Sequence, residues 1–436
     1  MAIIDMATTY STNEFLDNLS KSGVIPRERF DAIVVRDRLR DIEDACEVAK
    51  IFMRDGLLTR FQAERILQGR YRGLTIDDYL VKDVLGAGGM GWVYIAKEVA
   101  TGWDVAIKVL ATSERSNQGM LARMQLEAQA GMRLTHPNIL RTHGIHKSVD
   151  SHGEFSYLVM ELVRGITPLE MLAVHRRIDW QQACDLVMQA AIGLHYAHDM
   201  GLVHRDIKPE NLLVRTNGAV KILDFGLAMV DENDEEFAMA MIFGQDRLGT
   251  ADYVSPEQTL NSYRVDHRTD IYSLGCTLYY LLTSRVPFPV SSTVGKIQGH
   301  RKERPQSIRE LRPEIPERLE LIVRKMMTKR PENRIQTAAE VAQYLAPYAE
   351  RKPVEFDFER VLRWRLKQAR QRVTLQKLRQ HHSDTLSTAA ITPPQAELET
   401  RIRHDTRVHR AGSDDEPSTS DSNLSSSSTD DFQANS

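Results

Sequence analysis

The chain contains an octapeptide and, a short way further on, a triplet: His204-Arg205-Asp206-Ile207-Lys208-Pro209-Glu210-Asn211 and Asp224-Phe225-Gly226. Asp206 can orient a hydroxyl nucleophile, and Lys208 can neutralise the charge of a phosphate group. Asn211 and Asp224 supply oxygen atoms of the kind that bind magnesium. Phosphoryl transfer to a side-chain hydroxyl requires these groups. Their order and spacing favour such a site over the alternative, a salt-bridged turn.

A glycine-rich stretch precedes the octapeptide and reads G-x-G-x-x-G-x-V: Leu85-Gly86-Ala87-Gly88-Gly89-Met90-Gly91-Trp92-Val93. Glycines allow backbone amides to approach phosphate oxygens closely. A dinucleotide-binding fold also carries G-x-G-x-x-G, but there a helix begins at the last glycine. Here the residues after Gly91 are aromatic and β-branched, which favours a second strand. We therefore predict a hairpin whose nine residues contact a nucleotide.

Lys108 lies in the apolar run Val105-Ala106-Ile107-Lys108-Val109-Leu110, which is typical of a strand. A lysine in such surroundings needs a partner of opposite charge. Glu127 is the only acidic residue in the helical stretch from Met120 to Leu134. We expect a Lys108–Glu127 ion pair that holds the lysine against the α- and β-phosphates. Ala106, on the same strand, is assigned to the nucleotide pocket.

The chain divides into four zones. Residues 1–75 have a helical pattern, with a capping-box motif at Thr59, and read as a small helical domain or adaptor without chemistry of its own. Residues 79–348 begin with short β-rich runs and continue with longer helical patterns, which predicts an α+β fold with two lobes and a cleft between them. Residues 349–385 form a basic amphipathic helical segment. Residues 386–436 are rich in serine and aspartate, and we expect them to be disordered.

The basic segment presents one apolar face, made of Phe358, Leu362, Leu366, Ala369 and Val373. Arginines and lysines surround this face. Three interpretations stay open: a helix docked on the preceding domain, a self-association surface, or a surface that binds an acidic partner or an anionic membrane. The serine-rich tail after Gly412 is an accessible candidate for autophosphorylation.

Composition excludes several classes of protein. Hydrophobic residues make up 42% of the 436 residues, enough for a sizeable core, and the net charge of −3 gives no reason to expect a nucleic-acid partner. Three scattered cysteines argue against a disulfide framework or a zinc site. The sequence shows neither a signal peptide nor an apolar run long enough to span a bilayer. We therefore expect a cytoplasmic protein.

Together, the glycine-rich stretch, Lys108, the octapeptide and the triplet resemble the eukaryotic-type (Hanks-type) protein kinase family, including its bacterial serine/threonine members. The resemblance covers residues 79–348. It implies a two-lobed kinase fold, ATP and Mg²⁺ as cofactors, and protein substrates with serine or threonine acceptors. The Lys208-Pro209-Glu210 sequence resembles serine/threonine rather than tyrosine kinases. Upstream, the stretch from Gly56 to Glu64 resembles the leader of kinases from planctomycete-type bacteria.

The same resemblance assigns further roles. Met160 would lie behind the adenine pocket, with Glu161 to Val163 as the hinge whose backbone meets the base. Ser255-Pro256-Glu257 occupies the position of the family's Ala-Pro-Glu, and Glu257 would pair with Arg334. Asp270 would hold the backbone of the catalytic loop.

One feature departs from the family pattern. Kinases with an arginine before the catalytic aspartate often use a phosphate on the activation segment to neutralise it. Yet the stretch from Leu227 to Gly249 contains no serine, threonine or tyrosine, and carries the acidic run Asp231-Glu232-Asn233-Asp234-Glu235-Glu236 instead. Our hypothesis is that this run partly replaces the phosphate by pairing with Arg205 or a neighbouring cation. The alternative is a solvated loop. Thr250, by resemblance, is a structural threonine that bonds near Asp206 and Lys208.

Three functions remain to be distinguished. An active serine/threonine kinase requires Lys108, Asp206, Asn211 and Asp224, and all four are present. A pseudokinase scaffold usually lacks one of them. A small-molecule kinase on a related fold is disfavoured by Ser255-Pro256-Glu257 and by Asp270.

Overall fold

The computed structural model describes residues 11–88, 91–225, 250–260, 265–369 and 371. All three cysteines lie within these ranges, and each is free and buried. Among the helices so described, none combines the length and apolar character needed to cross a membrane.

The chain begins with a four-helix unit that has its own core: α1 (Thr12–Ser22), α2 (Arg27–Arg36), α3 (Ala45–Arg54) and α4 (Arg60–Leu67). Phe15, Phe30 and Phe52 meet at the centre of this core. The predicted capping box is present: Thr59 accepts from the Gln62 amide, and the Gln62 side chain accepts from the Thr59 amide. Each such cap contributes about 1 kcal/mol to helix stability.

The four-helix unit joins the following sheet through α4. The Thr59 hydroxyl donates to the carbonyl of Lys82 at 2.6 Å, and the Gln62 side-chain amide donates to the carbonyl of Val81 at 2.8 Å. Phe61 packs against both cores. The capping residues of α4 therefore also hold the helix against a strand.

The β-rich lobe is a sheet with the order β1-β2-β3-β4-β6-β5. Its strands are β1 (Thr75–Ile76), β2 (Tyr79–Gly88), β3 (Gly91–Glu98), β4 (Asp104–Leu110), β5 (Thr142–Asp150) and β6 (Gly153–Glu161). All neighbouring pairs are antiparallel, and Gly88 pairs with Gly91, so the predicted glycine-rich hairpin is confirmed. The strand β5 was not predicted from the sequence, because this edge strand is polar and largely exposed and so lacks an apolar signal.

The helix α5 (Gln118–Arg133) covers one face of this sheet. Met124 and Ala128 pack with Ala106 and Leu110 of β4. Glu127 lies on the same buried side, facing the strand that carries Lys108. The packing of α5 thus decides whether the predicted ion pair forms.

The helical lobe contains α6 (Pro168–His175), α7 (Trp180–Asp199), α8 (Arg268–Thr283), α9 (Thr293–Lys302), α10 (Ile308–Leu311), α11 (Glu317–Met326) and α12 (Ala338–Leu345). A small sheet lies at its junction with the β-rich lobe: β7 (Gly165–Ile166), β8 (Leu212–Arg215) and β9 (Val220–Ile222). Short 3₁₀ turns complete the chain at Leu39–Asp41, Thr112–Glu114, Pro209–Asn211, Thr250–Asp252, Pro331–Asn333 and Ala346–Tyr348. A β-rich lobe followed by a helical lobe is the predicted α+β class.

The basic segment forms a helix, α13, over residues 358–369. Val361 joins the core of the helical lobe, and Leu362 and Ala369 are also buried. Of the three interpretations of this segment, docking on the preceding domain is therefore confirmed for residues 358–369. Val373 and the expected disordered tail, 386–436, lie outside the described residues.

Candidate active site

Lys108 joins three elements at the cleft. Its ammonium nitrogen lies 2.7 and 2.8 Å from the two carboxylate oxygens of Glu127, so the predicted ion pair is confirmed. The same nitrogen lies 3.5 Å from Oδ1 of Asp224, a contact that the sequence analysis did not anticipate. Only 11% of the Lys108 side chain and 5% of the Glu127 side chain are exposed. The three groups thus connect β4, α5 and the segment after β9.

Charge coupling sets the ionisation of this cluster. Burial disfavours the Lys108 ammonium, but the charges of Asp224 and Glu127 outweigh burial and raise the pKa of Lys108. Partial desolvation opposes the Asp224 carboxylate too, yet the charge of Lys108 lowers the pKa of Asp224 to about 2. Burial raises the pKa of Glu127, and Lys108 opposes that shift. A charged lysine and a charged Asp224 therefore face the cleft at neutral pH.

Asp270 holds the loop that carries Asp206. It is fully buried on α8, and its carboxylate accepts from the backbone N–H groups of His204 at 2.8 Å and Arg205 at 2.7 Å. His198 Nε2 lies 2.8 Å from the same carboxylate. Burial would raise the pKa of Asp270, but these hydrogen bonds, led by that of His198, lower it. The contact expected between Asp270 and the loop backbone is confirmed.

Asp206, Lys208 and Asn211 converge within this loop. Lys208 Nζ lies 3.0 Å from each carboxylate oxygen of Asp206. The side-chain amide of Asn211 donates to the Asp206 carbonyl at 2.7 Å and approaches Oδ2 of Asp206 at 3.3 Å. Two neighbours therefore restrict the rotamer of the Asp206 carboxylate.

His204 joins this loop to the Asp224 segment. Its Nδ1 accepts from the Asp206 amide at 3.2 Å, while its Nε2 bonds the carbonyl of Leu223 at 2.7 Å. The Phe225 ring packs edge-on against the imidazole with 4.7 Å between centroids. Asp224 has φ of +55°, a conformation that costs a non-glycine residue about 1–3 kcal/mol and that the surrounding bonds must maintain. This role of His204 was not predicted from the sequence.

The residues predicted to bind a metal suit a hard divalent cation. Asn211 uses its amide nitrogen on Asp206, which leaves its oxygen as the ligand atom. The Asp224 side chain is 40% exposed, in contrast to its buried neighbours Lys108 and Glu127. One carboxylate and one amide oxygen match Mg²⁺, which is usually held by one or two protein groups together with substrate phosphates. Among the described residues, no group of three or more histidine, cysteine or acidic side chains could hold a metal ion.

The glycine-rich hairpin is formed by β2 and β3. In the sheet order, β3 is next to β4, the strand that carries Lys108. Leu85, Gly86 and Ala87 on β2 and Trp92 and Val93 on β3 are half-buried along the hairpin. At Gly91 an added Cβ would stand 2.0 Å from the carbonyl oxygen of a β4 residue, so only glycine permits this approach. Gly89 and Met90 lie outside the described residues, as does the environment of Gly88.

The predicted hinge follows β6. Met160 pairs with Ala106 across the sheet, and both are buried, as is Val163. The Glu161 carboxylate is already engaged, since it accepts from the Arg141 amide at 2.7 Å and from Lys221 Nζ at 2.5 Å. The resemblance assigns the contact with the base to the backbone from Glu161 to Val163.

A family model described as "Protein kinase domain" matches residues 79–345. The chain belongs to the protein kinase family. The serine/threonine-protein kinase PknB of Mycobacterium leprae is 37% identical over 267 residues, which cover 61% of this chain and 42% of that protein. A probable serine/threonine-protein kinase of Streptomyces coelicolor is 37% identical over 263 residues, covering 60% of this chain and 38% of that protein. This chain thus spans about two fifths of the length of these relatives.

A crystal structure of the Mycobacterium tuberculosis PknI kinase domain aligns with 64% of this chain and 98% of its own, at 25% identity and a TM-score of 0.49. The β-rich and helical lobes described above are the two lobes of a protein kinase.

The ion pair expected between Glu257 and Arg334 is present. Arg334 Nη1 and Nη2 lie 2.8 and 3.0 Å from the two carboxylate oxygens of Glu257, and the Arg334 side chain is fully buried. Its guanidinium also lies 5.0 Å from the Tyr272 ring centroid. The Gln258 side chain, which the sequence analysis did not single out, donates to the carbonyl of Arg205 at 2.8 Å. The segment around Glu257 therefore also supports the catalytic loop.

The predictions about the activation segment concern residues 227–249, which lie outside the described residues, together with the side chain of Thr250. Replacement of a phosphate by the acidic run therefore stays a prediction.

Proposed function

We propose that the protein is a serine/threonine protein kinase that transfers the γ-phosphoryl group of ATP to serine and threonine hydroxyls of protein substrates. One observation carries the proposal: Lys108 contacts Glu127 and Asp224 at the same time. Kinase catalysis needs both the lysine–glutamate pair and the metal-binding aspartate in place. Here one lysine brings them together from both lobes.

The residues would divide the work as follows. Lys108, fixed by Glu127, binds the α- and β-phosphates, and the glycine-rich hairpin covers them. Asp206 orients the acceptor hydroxyl and accepts its proton, while Lys208 neutralises charge on the transferred group. The backbone from Glu161 to Val163, with Ala106 and Met160 beside it, forms the adenine pocket.

Asn211 and Asp224 would hold Mg²⁺, whose charge, when it is bound, offsets that of the phosphate oxygens. The amide of Asn211 is tied to Asp206. This bond therefore links the position of Asn211, a proposed metal ligand, to that of Asp206, which orients the acceptor hydroxyl.

The two other candidate functions find less support. A pseudokinase scaffold would tolerate loss of one catalytic group, yet each of the four side chains is present and is restrained by a neighbour. A small-molecule kinase would not need the Glu257–Arg334 pair beside the acceptor-binding region.

Labelled ATP and a generic basic protein substrate test the proposal. Asp206→Ala should lower the transfer rate by about 10²–10⁴-fold, the range typical of a lost general base, and should leave nucleotide binding intact. Asp199→Asn, which alters an exposed carboxylate at the end of α7, is the matched control and should transfer at the wild-type rate. Phosphoamino-acid analysis should show phosphoserine or phosphothreonine. Near-full turnover by Asp206→Ala would exclude the role given to Asp206.

Further proposals concern the flanking zones. The kinase domain extends over 79–348, and residues 1–75 act as an adaptor whose stretch from Gly56 to Glu64 resembles a planctomycete-type leader. The serine-rich tail after Gly412 is proposed as a site of autophosphorylation. Mass spectrometry of the wild type and of Asp206→Ala tests this. Tails equally unmodified in both would contradict it.

A further inference from the structure

The helix α13 lies outside the part of the chain that the kinase family shares. The family model ends at residue 345, whereas α13 occupies residues 358–369. Val361, Leu362 and Ala369 of α13 are buried, so the helix is packed onto the kinase domain rather than exposed along its length. Its polar residues include an arginine that contacts the segment just after the hinge.

That arginine is Arg365, which makes a two-pronged contact with the start of the helical lobe. Its Nε and Nη2 atoms lie 2.7 Å from the two carboxylate oxygens of Glu170. Nη2 also donates to the carbonyl of Gly165 at 3.0 Å. The side chains of Arg365 and Glu170 are only 15% and 11% exposed, so solvent screens the contact weakly.

Both partners of Arg365 adjoin the proposed adenine pocket. Gly165 follows Val163 by two residues and begins β7. Glu170 completes the capping box of α6, since its carboxylate also accepts from the Thr167 amide at 2.7 Å. One guanidinium therefore holds both the backbone two residues after the hinge and the first turn of α6.

A second set of contacts leads from α13 across the hinge to the β-rich lobe. The guanidinium of Arg164 lies 5.9 Å from the Phe358 ring centroid. Arg164 also lies 3.4 Å from Asp104 at the start of β4, and Asp104 lies 3.0 Å from Lys82 on β2. Because these pairs are partly exposed, each contributes little by itself. Through Arg164 and Glu170, α13 therefore contacts the chain both before and after Gly165.

We propose that α13 braces the hinge in cis, and that Arg365 is a positioning residue that sets nucleotide affinity through Gly165 and Glu170. The proposal rests on the proposed kinase function, because it assigns the hinge backbone to adenine. Arg365 itself touches no substrate. Without Arg365, the hinge backbone samples conformations that bind the base less well. Because only the binding-competent fraction then takes up nucleotide, the apparent affinity falls.

The expected change in nucleotide affinity can be estimated from typical coupling between two sites in a protein. Coupling between two sites typically changes affinity by about 5–150-fold. Arg365 holds one end of the hinge only, while pairing of β6 with β4 holds the other. We therefore expect a change in the lower part of that range, about 5–30-fold.

The test uses the full chain with a fluorescent ATP analogue and Mg²⁺, followed by steady-state phosphorylation of a basic protein. Arg365→Ala should raise the dissociation constant and the KM for ATP by about 5–30-fold, with kcat at saturating ATP within about 2-fold of wild type. Arg365→Lys keeps the charge but cannot span both carboxylate oxygens and the Gly165 carbonyl, so it should give an intermediate value. Arg363→Ala, an exposed residue on the same helix, is the matched control and should bind as wild type.

A purely structural role gives a different pattern. In that case Arg365→Ala lowers the melting temperature but binds nucleotide within about 2-fold of wild type, and the brace is refuted. If Arg365→Ala does not fold, Arg365→Lys decides by the same criterion. A wild-type chain that neither binds nucleotide nor transfers phosphate overturns the proposed function instead. An active wild type with unaffected Arg365 variants overturns the brace alone.

Discussion

Replacing Asp270 by asparagine should destabilise the protein and slow the proposed reaction, although the new side chain has nearly the same shape. The Asp270 carboxylate accepts from two backbone N–H groups of the catalytic loop and lies 2.8 Å from His198. An asparagine keeps one acceptor oxygen and turns its NH₂ group toward a donor. At least one buried N–H group then loses its partner.

The magnitude follows from the bonds affected. A hydrogen bond to a charged group contributes about 1.5–3 kcal/mol, and a buried donor left without a partner costs about 1–3 kcal/mol. We expect a loss of about 3–5 kcal/mol in the free energy of unfolding. At roughly 2–4 °C per kcal/mol for a domain of this size, the melting temperature should fall by about 6–20 °C.

The difference between the wild type and Asp270→Asn should depend on pH. The folded pKa of Asp270 lies below its usual value of 3.8, so the ionised carboxylate contributes stability at every pH above that value. As the pH falls through the folded pKa, the carboxylate is protonated and this contribution is lost. The two proteins should therefore converge in stability only below about pH 4.

Thermal unfolding and initial-rate kinetics provide the assay. Asp270 holds the backbone next to Asp206, and small displacements of catalytic groups can cost about 10²-fold in rate, so kcat should fall by about that factor. Asp199→Asn is the control for loss of one carboxylate. If Asp270→Asn melts within about 2 °C of wild type and keeps full kcat, the loop does not depend on this carboxylate and the reasoning is wrong.

Three further predictions follow from buried contacts. Lys108→Met should lower kcat/KM for phosphoryl transfer by at least about 10²-fold, whereas Glu127→Gln should have a smaller effect because the amide oxygen still accepts from the lysine; equal losses would contradict this order. Arg334→Ala should cost about 3–5 kcal/mol in urea unfolding by leaving Glu257 without its partner, and adding Glu257→Gln should recover part of that loss. Gly91→Ala should weaken nucleotide binding by about 10-fold, because its Cβ would overlap a β4 carbonyl oxygen; unchanged binding in a titration would refute the close approach.

Local chemistry explains why much of the site could be predicted. The glycine-rich hairpin follows from glycines flanked by β-branched and aromatic residues, and pairing of Gly88 with Gly91 confirmed it. The partner of Lys108 could be chosen because the neighbouring helix contains a single acidic residue. The capping box at Thr59 needed only a spacing of three residues.

Contacts between distant segments could not be predicted in this way. Asp224 approaches Lys108 across 116 residues of sequence, and Arg365 reaches Glu170 across 195. Nothing in the local sequence of Gln258 indicates that its amide supports the carbonyl of Arg205. The strand β5 was not predicted because most of its residues are polar and exposed, so they lack the alternation of apolar and polar residues that indicates a strand. In each case the partner is set by how the elements pack.

The sequence by itself determined which groups are available for phosphoryl transfer, because short motifs specify side-chain chemistry and local backbone shape. It left open what the basic segment after residue 349 does, since an amphipathic helix can cover any apolar surface. Tertiary structure decided that α13 packs on the kinase domain and that Arg365 meets a carboxylate and a carbonyl beside the hinge. Burying a charged side chain in such a weakly solvated position costs free energy unless a partner compensates for the lost hydration. The fold of the rest of the chain determines where that partner lies.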